Sequence, residues 1–156
     1  MKISIVYYSH SGNTRCLAEM IAAQTGGDLL EILPETPYPQ AYSTVVEQAK
    51  RELKEGFRPA LRTEVPDLAG YDAVLIGTPN WWSSPAPPVS AFLEGWDLTG
   101  KRAASFCTHG GGGAGHIQRD IERLCRSGEV LPGLAVYESS CGEGEVRRWL
   151  ERIGMV

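Results

Sequence analysis

Residues 72–77, Asp-Ala-Val-Leu-Ile-Gly, constrain the fold most. A short, near-continuous apolar run of this kind reads as a strand covered on both faces. Such burial belongs to parallel sheets, whose strands must be joined by long crossovers, usually helices. The rest of the chain supplies those crossovers. Strand patterns at 2–8, 28–33, 72–77, 102–107 and 130–137 alternate with helical patterns at 13–25, 42–55, 88–96, 116–126 and 144–153. The first helix places Cys16, Leu17, Met20 and Ile21 on one face and stops at Gly26-Gly27. With right-handed crossovers, these five strands predict an α/β three-layer sandwich: a parallel sheet in the order 2-1-3-4-5, with helices on both faces. A length of 156 residues with no break in composition predicts a single domain over 1–156.

In such a sheet, ligands gather beyond the carboxyl ends of the strands, where the strand order reverses. Loops 9–14, 78–85 and 108–115 should therefore meet at one site. The first, Ser9-His10-Ser11-Gly12-Asn13-Thr14, lies between an apolar strand and an amphipathic helix. Free N–H groups at the helix start, the positive end of its dipole and three hydroxyls can all face one anion there. Gly12 permits the tight turn this needs. The loop itself holds no Lys or Arg, although Arg15 follows, and the Walker pattern is absent. It is suited to one phosphate held by neutral hydrogen bonds, not to a triphosphate with metal. A plain Ser/Asn helix cap uses the same residue types, but the position after the first strand favours phosphate.

At these residues the chain resembles the flavodoxin family, in which S/T-x-S/T-G-N-T after the first strand grips the phosphate of flavin mononucleotide (FMN). Two further motifs extend the resemblance along most of the chain. Pro79-Asn80-Trp81-Trp82 and Tyr38-Pro39-Gln40-Ala41-Tyr42 are similar to those of one flavodoxin-like subgroup. The resemblance implies FMN as cofactor and electron transfer as activity. In Thr78-Pro79-Asn80-Trp81-Trp82, an indole can wall or stack on the flavin ring, the alternative being one Trp packed beneath the loop as a plug. The backbone of Thr108-His109-Gly110-Gly111-Gly112 and Gly115 can lie along the pyrimidine edge; a flexible surface loop is the alternative. No glycine occurs in Asn80-Trp81-Trp82-Ser83, so a positive φ is expected at Asn80 alone, if anywhere.

Other signals are weaker. Gly110, Gly112 and Gly115 fit G-x-G-x-x-G only by chance within a glycine run, since that fingerprint belongs after the first strand. Cys141 to Arg147 satisfies C-x5-R, but Glu143 and Glu145 would repel a phosphate; those carboxylates suit the positive end of the last helix. His109 and His116 could sit charged near the flavin, or be solvated loop residues. A net charge of −4 with no basic stripe gives no support for nucleic-acid binding. No apolar run reaches membrane-spanning length, and Cys16, Cys107, Cys125 and Cys141 form no C-x-x-C pair, so reduced thiols in the cytoplasm are expected. No side chain is needed as a catalytic acid or base and no metal is implied.

The electron partner stays open. Carriers in this family are commonly more acidic and cover the outer flavin face with an aromatic from the third loop, which is lacking between Thr108 and His116. Both departures lean toward an FMN-dependent NAD(P)H or quinone reductase acting on a small molecule. The resemblance itself leans toward a carrier with a redox protein partner. A binding domain that had lost flavin would need a degraded phosphate loop, and this loop is intact.

Overall fold

A computed structural model describes residues 1–64, 66–125, 128–138, 140 and 142–156. Cys141 and the expected helix end at Arg126 lie outside the described residues. In chain order the elements are β1 (Ile3–Tyr7), α1 (Asn13–Thr25), β2 (Asp28–Glu31), α2 (Tyr42–Glu55), β3 (Ala73–Trp81), β4 (Ser84–Pro85), α3 (Pro87–Glu94), β5 (Arg102–His109), α4 (Ile117–Leu124), β6 (Glu129–Val130), β7 (Leu134–Tyr137) and α5 (Glu143–Arg152). Parallel pairing runs β2-β1-β3-β5, and β6 and β7 both pair with β5. The order is the expected one, with the outer strand split in two and a short antiparallel β4 added to β3.

The split has a local cause. Pro132 offers no N–H to a ladder, and Gly133 approaches β5 so closely that a Cβ there would lie 2.7 Å from Ser105 Oγ. The Gln118 side chain from α4 bridges the gap. Its Nε2 donates to the Leu131 carbonyl at 3.2 Å, and its Oε1 accepts the Gly133 N–H at 3.1 Å.

Both faces of the sheet are covered. On one, Ile3, Ile5, Leu75 and Phe106 pack against Leu17 and Ile21 of α1 and Val146, Trp149 and Leu150 of α5. On the other, Val6, Val74 and Ile76 pack against Val45 of α2, Val89 and Phe92 of α3, and Ile117 and Ile121 of α4. Gly77 belongs to this packing, because a Cβ there would meet the Phe106 ring at 2.3 Å.

The inward stripe of α1 is Thr14, Leu17, Ala18 and Ile21, the i, i+3, i+4, i+7 series. Cys16 falls outside that series and is exposed, contrary to its expected place on the apolar face. Glu143 and Glu145 occupy the first turn of α5, as their charge leads one to expect. Among the described residues, no helix is long and apolar enough to cross a membrane.

Candidate functional site

The first loop turns on Ser9. Its Oγ accepts the N–H groups of Gly12 and Arg15, each at 3.2 Å, and Gly12 takes φ 99° to close the curl. Among the described residues, the N–H groups of Ser11, Asn13 and Thr14 have no acceptor within the chain. The Arg15 guanidinium is held by Glu31 at 2.6 Å and so does not enter the loop. His10 Nε2 donates to the Pro39 carbonyl at 2.8 Å, tying the loop to the segment before α2. Thr14 is buried, and its Oγ1 lies 2.8 Å from Thr108 Oγ1, linking the first and third loops.

The second loop separates its two indoles. Trp81 ends β3 and meets Tyr38, Tyr8 and His10 edge-on, with ring centroids 5.0, 5.5 and 5.9 Å away. It is half-buried and braces the loop through these ring contacts. Trp82 is 50% exposed; its Nε1 donates to the Val46 carbonyl of α2 at 3.0 Å, and Lys50 Nζ stands 5.2 Å from its ring centroid.

The positive φ angles here fall at Trp82 (53°) and Ser83 (67°), not at Asn80. Chain reversal from β3 to β4 explains the correction, since a two-residue hairpin between Trp81 and Ser84 favours left-handed backbone at both central positions. Thr78 is fully buried; its hydroxyl donates to the Pro79 carbonyl and accepts the Ala86 N–H, which fixes the loop's base.

The third loop is stitched to the second. Asn80 Nδ2 donates to the Gly113 carbonyl at 2.7 Å, and a Cβ on Gly115 would lie 2.6 Å from Ser83 Cα. His109 Nδ1 accepts the Gly111 N–H at 3.0 Å, which places its ring proton on Nε2 in the neutral form. His116 stands behind the hairpin, against Ser84.

These loops open onto a cleft of about 530 Å³. Of the residues singled out by sequence, His10, Ser11, Asn13, Pro79, Asn80, Trp81, Trp82, Thr108, His109 and Gly110 line it. Ser9, Gly12, Thr14, Thr78, Gly111, Gly112 and Gly115 do not; they shape or brace the loops. A further wall is made by Tyr42, which belongs to the Tyr-Pro-x-x-Tyr motif but carried no expected site role, and by Val45, Val46 and Ala49 of α2, which were not expected there; nor was Glu138 at the end of β7. The α2 wall had a signal in the helical spacing of its apolar residues after Tyr42. Glu138, at φ 47°, had none.

A larger groove of about 1100 Å³ runs between α2, α3 and α4. It is of mixed charge and lies off the convergence of the three loops, so the smaller cleft is the candidate site. Among the described residues, no cluster of His, Cys, Asp and Glu is arranged to hold a metal ion.

A family model described as flavodoxin matches residues 2–153. NAD(P)H dehydrogenase (quinone) of Cupriavidus metallidurans is 28% identical over 145 residues, spanning 85% of this chain and 70% of that protein. A candidate flavoprotein from Bacteroides eggerthii, known from its crystal structure, is 30% identical with a TM-score of 0.87, covering 98% of each chain. A flavoprotein from Lactobacillus acidophilus, crystallised with FMN, gives a TM-score of 0.74 at 24% identity, over 95% of this chain and 97% of that one. At that identity the likeness is one of fold.

Proposed function

Since the chain belongs to the flavodoxin family, matched over residues 2–153, we propose that its cleft holds FMN non-covalently and that the protein transfers electrons through it. The observation that carries this reading is the pairing, within one cleft, of unbonded N–H groups at the start of α1 with an aromatic flank at Trp82. A phosphate ester of a large planar ring needs those two features side by side. The N–H groups of Ser11 and Asn13 and the Ser11 hydroxyl hold the phosphate. Trp82, Pro79 and Asn80 flank the ring, and Thr108 to Gly110 border its polar edge. A cleft of about 530 Å³ suits a cofactor of this size. Bound FMN supplies the redox chemistry, accepting one or two electrons; the chain orients it, excludes water and sets access.

A second reading is an FMN-dependent NAD(P)H or quinone oxidoreductase. Two observations favour it. The third loop brings no Phe, Tyr or Trp to the cleft, and the opposite wall begins with Tyr42, which is 82% exposed. Curated relatives carry that activity in their name. On this reading the partner is a nicotinamide or another small planar molecule, whereas a carrier would dock a redox protein. Cys16, Cys107 and Cys125 are free thiols, which suits a cytoplasmic protein.

The test is the visible spectrum of the FMN-loaded protein under anaerobic mixing with NADPH and with NADH. Rapid bleaching by a nicotinamide supports the reductase; bleaching only by a reduced redox protein supports the carrier. A protein that gains no flavin absorbance after incubation with FMN contradicts both.

A further inference from the structure

Trp82 and Ser83 stand side by side in the left-handed region, and neither is glycine. Such backbone persists only where the surroundings over-determine it, and it concentrates at functional sites. Here the hairpin between β3 and β4 favours it and the start of α4 adds the support from outside. The main-chain N–H of His116 donates to the Ser83 carbonyl at 2.9 Å. Gly115 leaves Ser83 no room to retreat, its missing Cβ falling 2.6 Å from Ser83 Cα.

The His116 ring is itself held. Its Nδ1 is bonded to the Asp120 carboxylate, which is buried and whose other oxygen accepts from Arg123 Nη2 at 2.9 Å. On the far side, Trp82 Nε1 is fixed by the Val46 carbonyl. Ser84, His116 and Asp120 stand in the order of a hydrolytic relay. Yet the 3.4 Å between Ser84 Oγ and His116 Nε2 exceeds the reach of about 2.6–3.2 Å expected of an activated nucleophile.

We propose that the start of α4, through the main-chain N–H of His116, the close approach of Gly115 and the His116 imidazole that Asp120 holds in place, clamps the Trp82–Ser83 turn and so sets where the Trp82 indole stands against the flavin ring. This rests on the FMN reading. Removing the imidazole leaves the buried Asp120 carboxylate short of a partner and loosens the α4 start that holds Ser83. A methyl at Gly115 pushes the same turn from behind. Asn at 120 still offers its one oxygen to the Nδ1–H of His116, losing only the bond from the exposed Arg123.

The experiment reads the Trp82 indole N–H resonance in 15N-labelled apoprotein, assigned with Trp82→Phe, and the Kd of FMN and of riboflavin by fluorescence. His116→Ala and Gly115→Ala should each move the Trp82 signal and weaken both ligands by the same factor, about tenfold, because the ring is common to both. Asp120→Asn should keep the signal and both affinities near those of the unsubstituted protein. An unmoved Trp82 signal in either folded His116→Ala or folded Gly115→Ala overturns the clamp, and so does a loss confined to FMN. If the unsubstituted protein binds no flavin, the FMN reading fails, while the Trp82 signal of the apoprotein still decides the clamp.

Discussion

Trp81 and Trp82 are adjacent and serve opposite ends. Trp81 packs edge-on against Tyr8 and Tyr38, whereas Trp82 stands half in solvent on the cleft wall. Trp81→Ala should therefore act on stability, lowering it by about 3 kcal/mol in a denaturant titration. Trp82→Ala should leave the denaturation midpoint nearly unchanged and weaken FMN and riboflavin alike. Ser11, exposed on the cleft, gives the complementary case. Ser11→Ala removes a bond to a charged group, worth about 1.5–3 kcal/mol, so FMN should bind about tenfold to a hundredfold less tightly and riboflavin almost unchanged. Equal loss of both ligands would show that Ser11 does not face the phosphate. Hydroxyls in the motif looked alike in sequence. Packing divides them: Ser9 caps, Thr14 joins Thr108, and Ser11 alone among the three lines the cleft. Nothing in residue type foretells that division.

Elements were legible where punctuation was strong. α1 and α2 have the bounds read from sequence, each ending at a glycine with positive φ, Gly26 and Gly56. The central strands were legible because a buried parallel strand is apolar throughout. Two features escaped for physical reasons. The β3–β4 hairpin turns at Trp82-Ser83, without the Asn-Gly or Asp-Gly that normally marks such a turn. The break between β6 and β7 depends on Gln118, a residue from another element that replaces missing ladder bonds. Gln118→Ala should lower stability by about 1–3 kcal/mol, read as a shifted urea midpoint with unchanged slope. An unchanged midpoint would mean that water serves the break as well as the amide does.

At the scale of the molecule, several acidic groups are buried in their neutral form. Burial pushes the Cys107 thiol up to about 11 and the Cys125 thiol up to about 12, from an ordinary 9.0. Burial also raises the Tyr8 and Tyr38 phenols, the latter further by its bond to Glu52. Unfolded, these groups lose protons first, so their contribution is complete below about pH 9 and is lost as pH rises through 11 to 12. Thermal unfolding should accordingly shift to lower temperature above about pH 9. A midpoint that is flat from pH 8 to 11 would contradict this burial. The sheet order and the meeting of three loops followed from the alternation of strands and helices, but the α2 wall did not, since nothing local says how far a helix leans over a cleft. That wall is where carrier and reductase readings part. Both require FMN to be gripped at the phosphate and flanked by Trp82. The most direct measurement is a titration of apoprotein with FMN, and separately with riboflavin, following tryptophan fluorescence. One equivalent of FMN should quench strongly and saturably, with riboflavin weaker by about tenfold or more. No saturable quenching, or equal affinity for the two, would contradict the account.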